Sequence, residues 1–156
     1  MSTTHVQLLL AEDSGPDADL ILASLTKVSL AEATHVVHDG VETLDFVFCR
    51  GKYAGRLNEP ALRVIILDVK LPKLDGFDVL REIKANSRTR LIPVVLLTSS
   101  NIEADVTRGF LLGANSYVQK PVDFGAFRDT IRQLGLYWMT INEPPPSTHV
   151  GERVLP

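Results

Sequence analysis

Two stretches of this chain, Val64–Val69 and Pro93–Thr98, are built on uninterrupted runs of valine, isoleucine and leucine. A strand with one wet face alternates apolar and polar residues. A run without alternation suits a strand covered on both faces, as in a parallel sheet packed between helices. Three further apolar runs, Val6–Ala11, Ala33–His38 and Ser116–Gln119, complete a series spaced by roughly 20 residues, which is room for a crossover helix and its loops.

The intervening segments carry helical stripes. Ala18, Ile21, Leu22, Leu25 and Val28 form the first, with Ser14 as N-cap and Pro16 in the first turn. Val41, Leu44, Val47 and Phe48 form the second. Phe77, Leu80 and Ile83 form the third, behind Asp75. Ile102, Val106 and Phe110 form the fourth, with Asn101 in the N-cap position. Phe124, Phe127, Ile131, Leu134 and Trp138 form the fifth, at alternating spacings of three and four. The order is strand–helix five times over, which predicts a doubly wound α/β fold.

Two segments lie outside this unit. Gly51–Ala61 is a long connection with two glycines and Pro60, expected on the surface. Beyond Trp138 the chain runs through Pro144-Pro145-Pro146 to Pro156, too short for a second domain. We therefore expect one domain over residues 5–138 and an extended arm over 139–156, with no output domain. Leu136 and Tyr137 point away from the fifth stripe, so the last helix, the last strand and the arm are expected to pair with a second copy of the chain.

Charge and cysteine content narrow the function. A net charge of −3 argues against a general nucleic-acid binder. A lone cysteine, Cys49, allows neither an internal disulfide nor a cysteine-based zinc site. No apolar run approaches a membrane span, and the first residues have no basic leader, so the expected address is the cytoplasm.

In open parallel sheets, ligands bind beyond the carboxyl ends of the strands. Here the first strand ends in Glu12-Asp13, the third in Asp68, the fourth in Thr98 and the fifth in Lys120-Pro121. Crowded carboxylates repel, and an oxygen-only cluster suits Mg²⁺ or Mn²⁺ with room left for water and phosphate. A lysine beside such an ion serves phosphoryl oxygens as a point charge, and a hydroxyl can donate to another. The set points to phosphoryl transfer with a carboxylate as covalent acceptor. Any one such acid could equally be a helix cap or a solvated loop residue.

These residues also carry a resemblance. Asp68-Val69-Lys70-Leu71-Pro72-Lys73-Leu74-Asp75-Gly76 resembles the phosphorylation loop of response-regulator receiver domains, and Leu9-Leu10-Ala11-Glu12-Asp13-Ser14 resembles their acidic pair. Leu96-Leu97-Thr98-Ser99 and Tyr117-Val118-Gln119-Lys120-Pro121 are similar to their switch hydroxyl and their aromatic–lysine–proline motif. Gly51-Lys52-Tyr53 and Leu136-Tyr137-Trp138-Met139-Thr140 further resemble the small receivers paired with phytochrome-type histidine kinases.

The resemblance implies a flavodoxin-like five-stranded sheet in the order 2-1-3-4-5. It implies that Asp68 takes a phosphoryl group from a kinase phosphohistidine. Asp13, Asp68 and the backbone carbonyl of Lys70 would hold Mg²⁺ directly, and Glu12 through a water. Lys120 would neutralise a phosphoryl oxygen, Thr98 would close on another, and Tyr117 would report the movement. It also implies a cis peptide between Lys120 and Pro121. Many members have a small polar residue where this chain has Lys70, which bears on how water reaches the acyl phosphate.

Other readings remain at this level. An aspartate-nucleophile phosphatase needs a second acid two residues after the acceptor, where Lys70 stands. A nucleotide-binding module needs a glycine-rich phosphate loop, and neither common form occurs. A receiver used only for docking would not need the complete residue set. Tyr117 could be a half-buried aromatic on an edge strand. Ser99 and Ser100 read as turn residues, and His5, His35, His38 and His149 as surface or loop histidines.

Overall fold

A computed structural model describes residues 5–146. Its five strands are β1 (Leu8–Ala11), β2 (Thr34–Val37), β3 (Val64–Leu67), β4 (Val94–Thr98) and β5 (Ser116–Gln119). Its helices are α1 (Gly15–Thr26), α2 (Gly40–Val47), α3 (Gly76–Ala85), α4 (Glu103–Leu111) and α5 (Phe124–Leu136). A 3₁₀ segment (Gly51–Arg56) precedes β3, and a π-helical turn (Tyr137–Ile141) extends α5. All strand pairs are parallel, in the order β2-β1-β3-β4-β5. The doubly wound fold expected from the sequence is the one observed.

The unbroken apolar strands divide their side chains between two cores. Leu9, Ala11, Ile65, Leu67, Val94 and Leu96 face α2 and α3. Leu8, Leu10, Val64, Ile66, Val95 and Leu97 face α1 and α5. This follows from the two-residue period of a strand. In α3, Phe77, Leu80 and Ile83 are buried as the stripe predicts. Each contributes about 1.5–3 kcal/mol by leaving water.

The polar residues that follow strands sort into two kinds. Ser14, Asp39, Asp75 and Asp123 cap helices α1, α2, α3 and α5, each accepting from a backbone N–H three residues on. Glu12 and Asp68 are not caps.

Several helical expectations are corrected. Ile102 and Phe110 are exposed, and Gly109 is the buried residue of α4. A Cβ at Gly109 would lie 2.8 Å from Leu96 Cδ1 and 3.2 Å from Tyr117 Cδ2, so α4 contacts the sheet at its glycine and turns its stripe outwards. Asn101 is not the cap. Ser100 serves that end instead, accepting from Ile102 N and donating to Asp105 Oδ2 at 2.7 Å.

Phe124, the first residue of α5, is also exposed, while Phe127 and Ile131 are buried. In α2, Val41 is exposed and Phe46 is buried. The reason lies in the long connection, which is not purely a surface loop. Arg56 is buried with its guanidinium 3.6 Å from the Phe46 ring centroid, and His35 stacks on the same ring. Tyr53 accepts from His35 Nε2 and donates to Glu42 Oε2.

The expected arm is described only to Pro146, and residues 147–156 lie outside the described residues. Its first part lies against its own domain, with Arg63 Nη2 donating to the Asn142 carbonyl at 3.1 Å.

Candidate functional site

The carboxyl ends of β1, β3, β4 and β5 meet because the parallel register across the sheet brings them level. Ala11 pairs with Leu67, Leu67 with Leu96, and Thr98 with Gln119. The next residues along these strands are Glu12, Asp68 and Lys120. The Lys120 amide donates to the Thr98 carbonyl at 2.7 Å, which fixes where the lysine side chain begins.

From there Lys120 reaches across the site. Its ammonium donates to Glu12 Oε1 at 2.6 Å, to Asp68 Oδ2 at 2.8 Å and to Asp17 Oδ2 at 2.9 Å. The other carboxylate oxygens are held by backbone. Asp68 Oδ1 accepts from Lys70 N at 3.0 Å, and Glu12 Oε2 from Ser14 N at 3.2 Å.

Burial sets the electrostatics. Glu12 is 1% exposed and Asp68 7%. Burial first, and then the neighbouring Asp68, push the Glu12 carboxyl up to about 7 against the opposing pull of Lys120. Burial alone would lower Lys120. Its hydrogen bonds to Asp68, Glu12 and Asp17 outweigh that and hold the ammonium above the ordinary lysine value.

Glu12, Asp68 and Lys120 are thus brought together as the sequence suggests. Asp13 lies next to them on the solvent side, exposed. Thr98 is fully buried, and its Oγ1 accepts from Ser100 N at 3.4 Å. Tyr117 is half-buried and donates from its hydroxyl to the Ser100 carbonyl at 2.8 Å. Threonine and tyrosine therefore hold the same short loop after β4. The Lys70 side chain is exposed.

Two points differ from the sequence reading. The Lys120–Pro121 peptide is trans, as are the other described peptides. Trans is the lower-energy form even before proline, and with it the Lys120 ammonium already reaches three carboxylates. Asp17 was missed. It lies in the first turn of α1 behind a proline, where an acid reads as helix-dipole complement, and only the tertiary approach of β5 reveals its bond to Lys120.

The donor set fits a hard divalent cation. It is oxygen-only, and Asp13, which follows Glu12 in the chain, is open to solvent, which leaves positions for water and a phosphoryl oxygen. Among the described residues, no group of three or more acidic, histidine or cysteine side chains is placed to hold a metal ion by itself. The buried acids are gathered around the Lys120 ammonium, and Mg²⁺ binds through one or two carboxylates with water and phosphate completing its shell.

The loop that carries Asp68 is fixed from behind. A Cβ at Gly76 would lie 2.4 Å from the Asp68 carbonyl oxygen, and Gly76 N donates to Val69 O at 2.7 Å. Gly40 N donates to Pro72 O at 3.1 Å, and Lys73 pairs with Asp39 at 3.3 Å.

Known proteins are similar to this chain in sequence and backbone. The sequence profile of the response regulator receiver domain matches residues 9–132. The response regulator Rcp1 of Synechocystis sp. is 33% identical over 85% of this chain and 88% of its own length. Its Mn²⁺-bound crystal structure superposes with a TM-score of 0.81, covering 92% of this chain and 99% of that one. The phosphorylated cyanobacterial phytochrome response regulator RcpA is 30% identical, with a TM-score of 0.83 over 90% of this chain and 99% of its own. The bacteriophytochrome response regulator RtBRR is 41% identical, with a TM-score of 0.71 over 93% of this chain and 86% of its own. With sequence, topology and backbone in agreement, this chain belongs to the response regulator receiver family and is a module of two-component signalling.

Proposed function

We propose that Asp68 accepts a phosphoryl group from the phosphohistidine of a sensor histidine kinase of phytochrome type. The observation that carries this is the Asp68 carboxylate at the end of β3, gripped at Oδ1 by Lys70 N–H and at Oδ2 by the Lys120 ammonium. An oxygen of Asp68 attacks phosphorus. The O–P bond forms as the P–N bond to the donor imidazole breaks, and the electron pair leaves on the ring nitrogen. Lys120 follows the charge from the carboxylate to the phosphoryl oxygens. Thr98 donates to another phosphoryl oxygen, drawing in the loop after β4, and Tyr117 loses or changes its bond to Ser100.

Asp13, Asp68 and the Lys70 carbonyl would hold Mg²⁺, with Glu12 acting through a water. The cation supplies positive charge where carboxylates and phosphoryl oxygens crowd together. The chain is a switch rather than a turnover enzyme, with self-catalysed phosphoryl uptake and slow hydrolysis whose rate depends on how the Lys70 side chain admits water.

The phytochrome pairing rests on the likeness to RcpA and RtBRR, which are phytochrome response regulators by name, and on the Gly51-Lys52-Tyr53 segment. Lys52 bonds Glu42 at 2.9 Å and Tyr53 bonds the same carboxylate, so this segment is built into the β2–α2 edge. The receiver domain spans residues 5–138. It works in the cytoplasm without nucleic acid or membrane; no described helix is long and apolar enough to cross one. Leu136, Tyr137 and Ile141 are exposed along the end of α5, which supports a homodimer through this end and the arm over 139–156.

Incubation with acetyl phosphate and Mg²⁺, followed by intact mass, tests the acceptor. One added phosphoryl group is expected on the wild type and none on Asp68→Asn. Undiminished uptake by Asp68→Asn overturns the assignment. Phosphotransfer from a phytochrome kinase, set against transfer from unrelated kinases, tests the pairing. Light scattering before and after truncation at Thr140 tests the dimer, and equal masses would exclude the arm.

A further inference from the structure

We propose that Asp17 is a positioning residue that keeps Lys120 in the site while the other two partners of its ammonium change. The ammonium has three protons, and each is directed to a different carboxylate, at 2.6, 2.8 and 2.9 Å. Two of these partners belong to the reaction. Asp68 becomes part of an acyl phosphate, and Glu12 is one of the acids that would serve the cation. Asp17 belongs to neither step.

Its place in the fold suits this role. Asp17 lies in the first turn of α1, with its backbone N–H bound by Ser14 Oγ at 3.3 Å. It is therefore fixed by a capped helix and not by the loop that carries Asp68. Its side chain is about a third exposed, whereas that of Lys120 is only 11% exposed. Lysine carries its charge on a flexible four-carbon stem with three rotatable donors. As the ammonium passes from the Asp68 and Glu12 carboxylates to a phosphoryl oxygen, the bond to Asp17 stays in place and restrains that stem. The contact also ties α1 to the loop between β5 and α5, so the two elements flanking the site hold their spacing through the switch.

This inference rests on the reading of Asp68 as acceptor. It is tested on the full chain with acetyl phosphate as donor, where an oxygen of Asp68 takes the phosphoryl group and acetate leaves. Initial rates are measured by intact mass against donor concentration, at saturating Mg²⁺. The proteins compared are the wild type, Asp17→Ala, Asp17→Asn, Lys120→Met and the double variant Asp17→Ala/Lys120→Met.

Asp17→Ala should lower the saturating rate roughly tenfold, as expected when a reacting group loses its restraint, without raising the half-saturating donor concentration. Asp17→Asn, whose amide oxygen still accepts from Lys120, should recover most of the rate. In the Lys120→Met background, Asp17→Ala should have no further effect, because the partner it restrains is gone. Wild-type rates in Asp17→Ala, or an equal loss with and without Lys120, overturn the positioning role alone. Absence of uptake in the wild type removes the acceptor reading and this inference with it.

Discussion

Gly40, the first residue of α2, lies so close to Leu74 that a Cβ at Gly40 would stand 2.1 Å from the Leu74 carbonyl oxygen and 2.6 Å from its Cβ. The loop that presents Asp68 therefore rests directly on the start of α2. Gly40→Ala should cost about 1–3 kcal/mol, since backbone and not a flexible side-chain end is in the way. A lower urea midpoint, with a slower acetyl phosphate reaction from the displaced loop, is the expected outcome. A midpoint within error of the wild type would mean that this contact is loose in solution.

Mg²⁺ should stabilise the native state increasingly with the logarithm of its concentration above its dissociation constant, because only the folded chain gathers Asp13, Asp68 and Glu12. At ten times its dissociation constant the gain is about 1.4 kcal/mol, or roughly 3–5 °C in melting temperature for a chain of this size. Asp13→Ala should remove most of the response. A melting temperature indifferent to millimolar Mg²⁺ would exclude the site.

Lys84 on α3 donates to the Arg90 carbonyl at 3.0 Å, the Ile92 carbonyl at 2.7 Å and Asn115 Oδ1 at 3.0 Å. Burial pushes its ammonium down from 10.5 to about 8. Between those values the unfolded chain binds the proton and the native chain does not, so this group makes the protein more stable as pH rises through that window. Allowing for its partial exposure, the gain is on the order of 2 kcal/mol. Urea midpoints from pH 8 to 10 should show a rising component in the wild type that Lys84→Met lacks. Parallel profiles would show that the lysine is not desolvated.

Ser29 closes α1 at φ 62°, with its own N–H donating to Thr26 O at 3.1 Å and Leu30 N to Leu25 O at 2.9 Å. This is the left-handed position that usually takes glycine. Ser29→Gly should stabilise the protein by about 0.5–1 kcal/mol, the relief of the left-handed strain less the added freedom of the unfolded chain. Thermal unfolding reads this as a rise in melting temperature, and a fall would refute the strain.

The layered fold was legible in the sequence because it depends on short-range pattern. Runs buried on both faces demanded a parallel sheet, and the acids, threonine and lysine at their ends were legible because strand ends in such sheets converge. Patterns failed where a neighbour far along the chain decided. Ile102 and Phe110 have helical spacing, but Gly109 meets Leu96 and Tyr117, so their side is left in solvent. Phe46 is buried in place of Val41 because Arg56, ten residues on, covers its ring.

The sequence by itself determined the alternation of strands and helices, which follows from local periodicity, and the chemical types at the strand ends, which are read directly, while the strand order came from the family resemblance. Tertiary structure alone decided which carboxylates the Lys120 ammonium holds. Asp17 and Lys120 are far apart in the chain, and nothing in the pattern around either one specifies the other. They meet because the start of α1, which follows β1, and the residue after β5 both lie at the carboxyl edge of the sheet, where three protons find three acceptors.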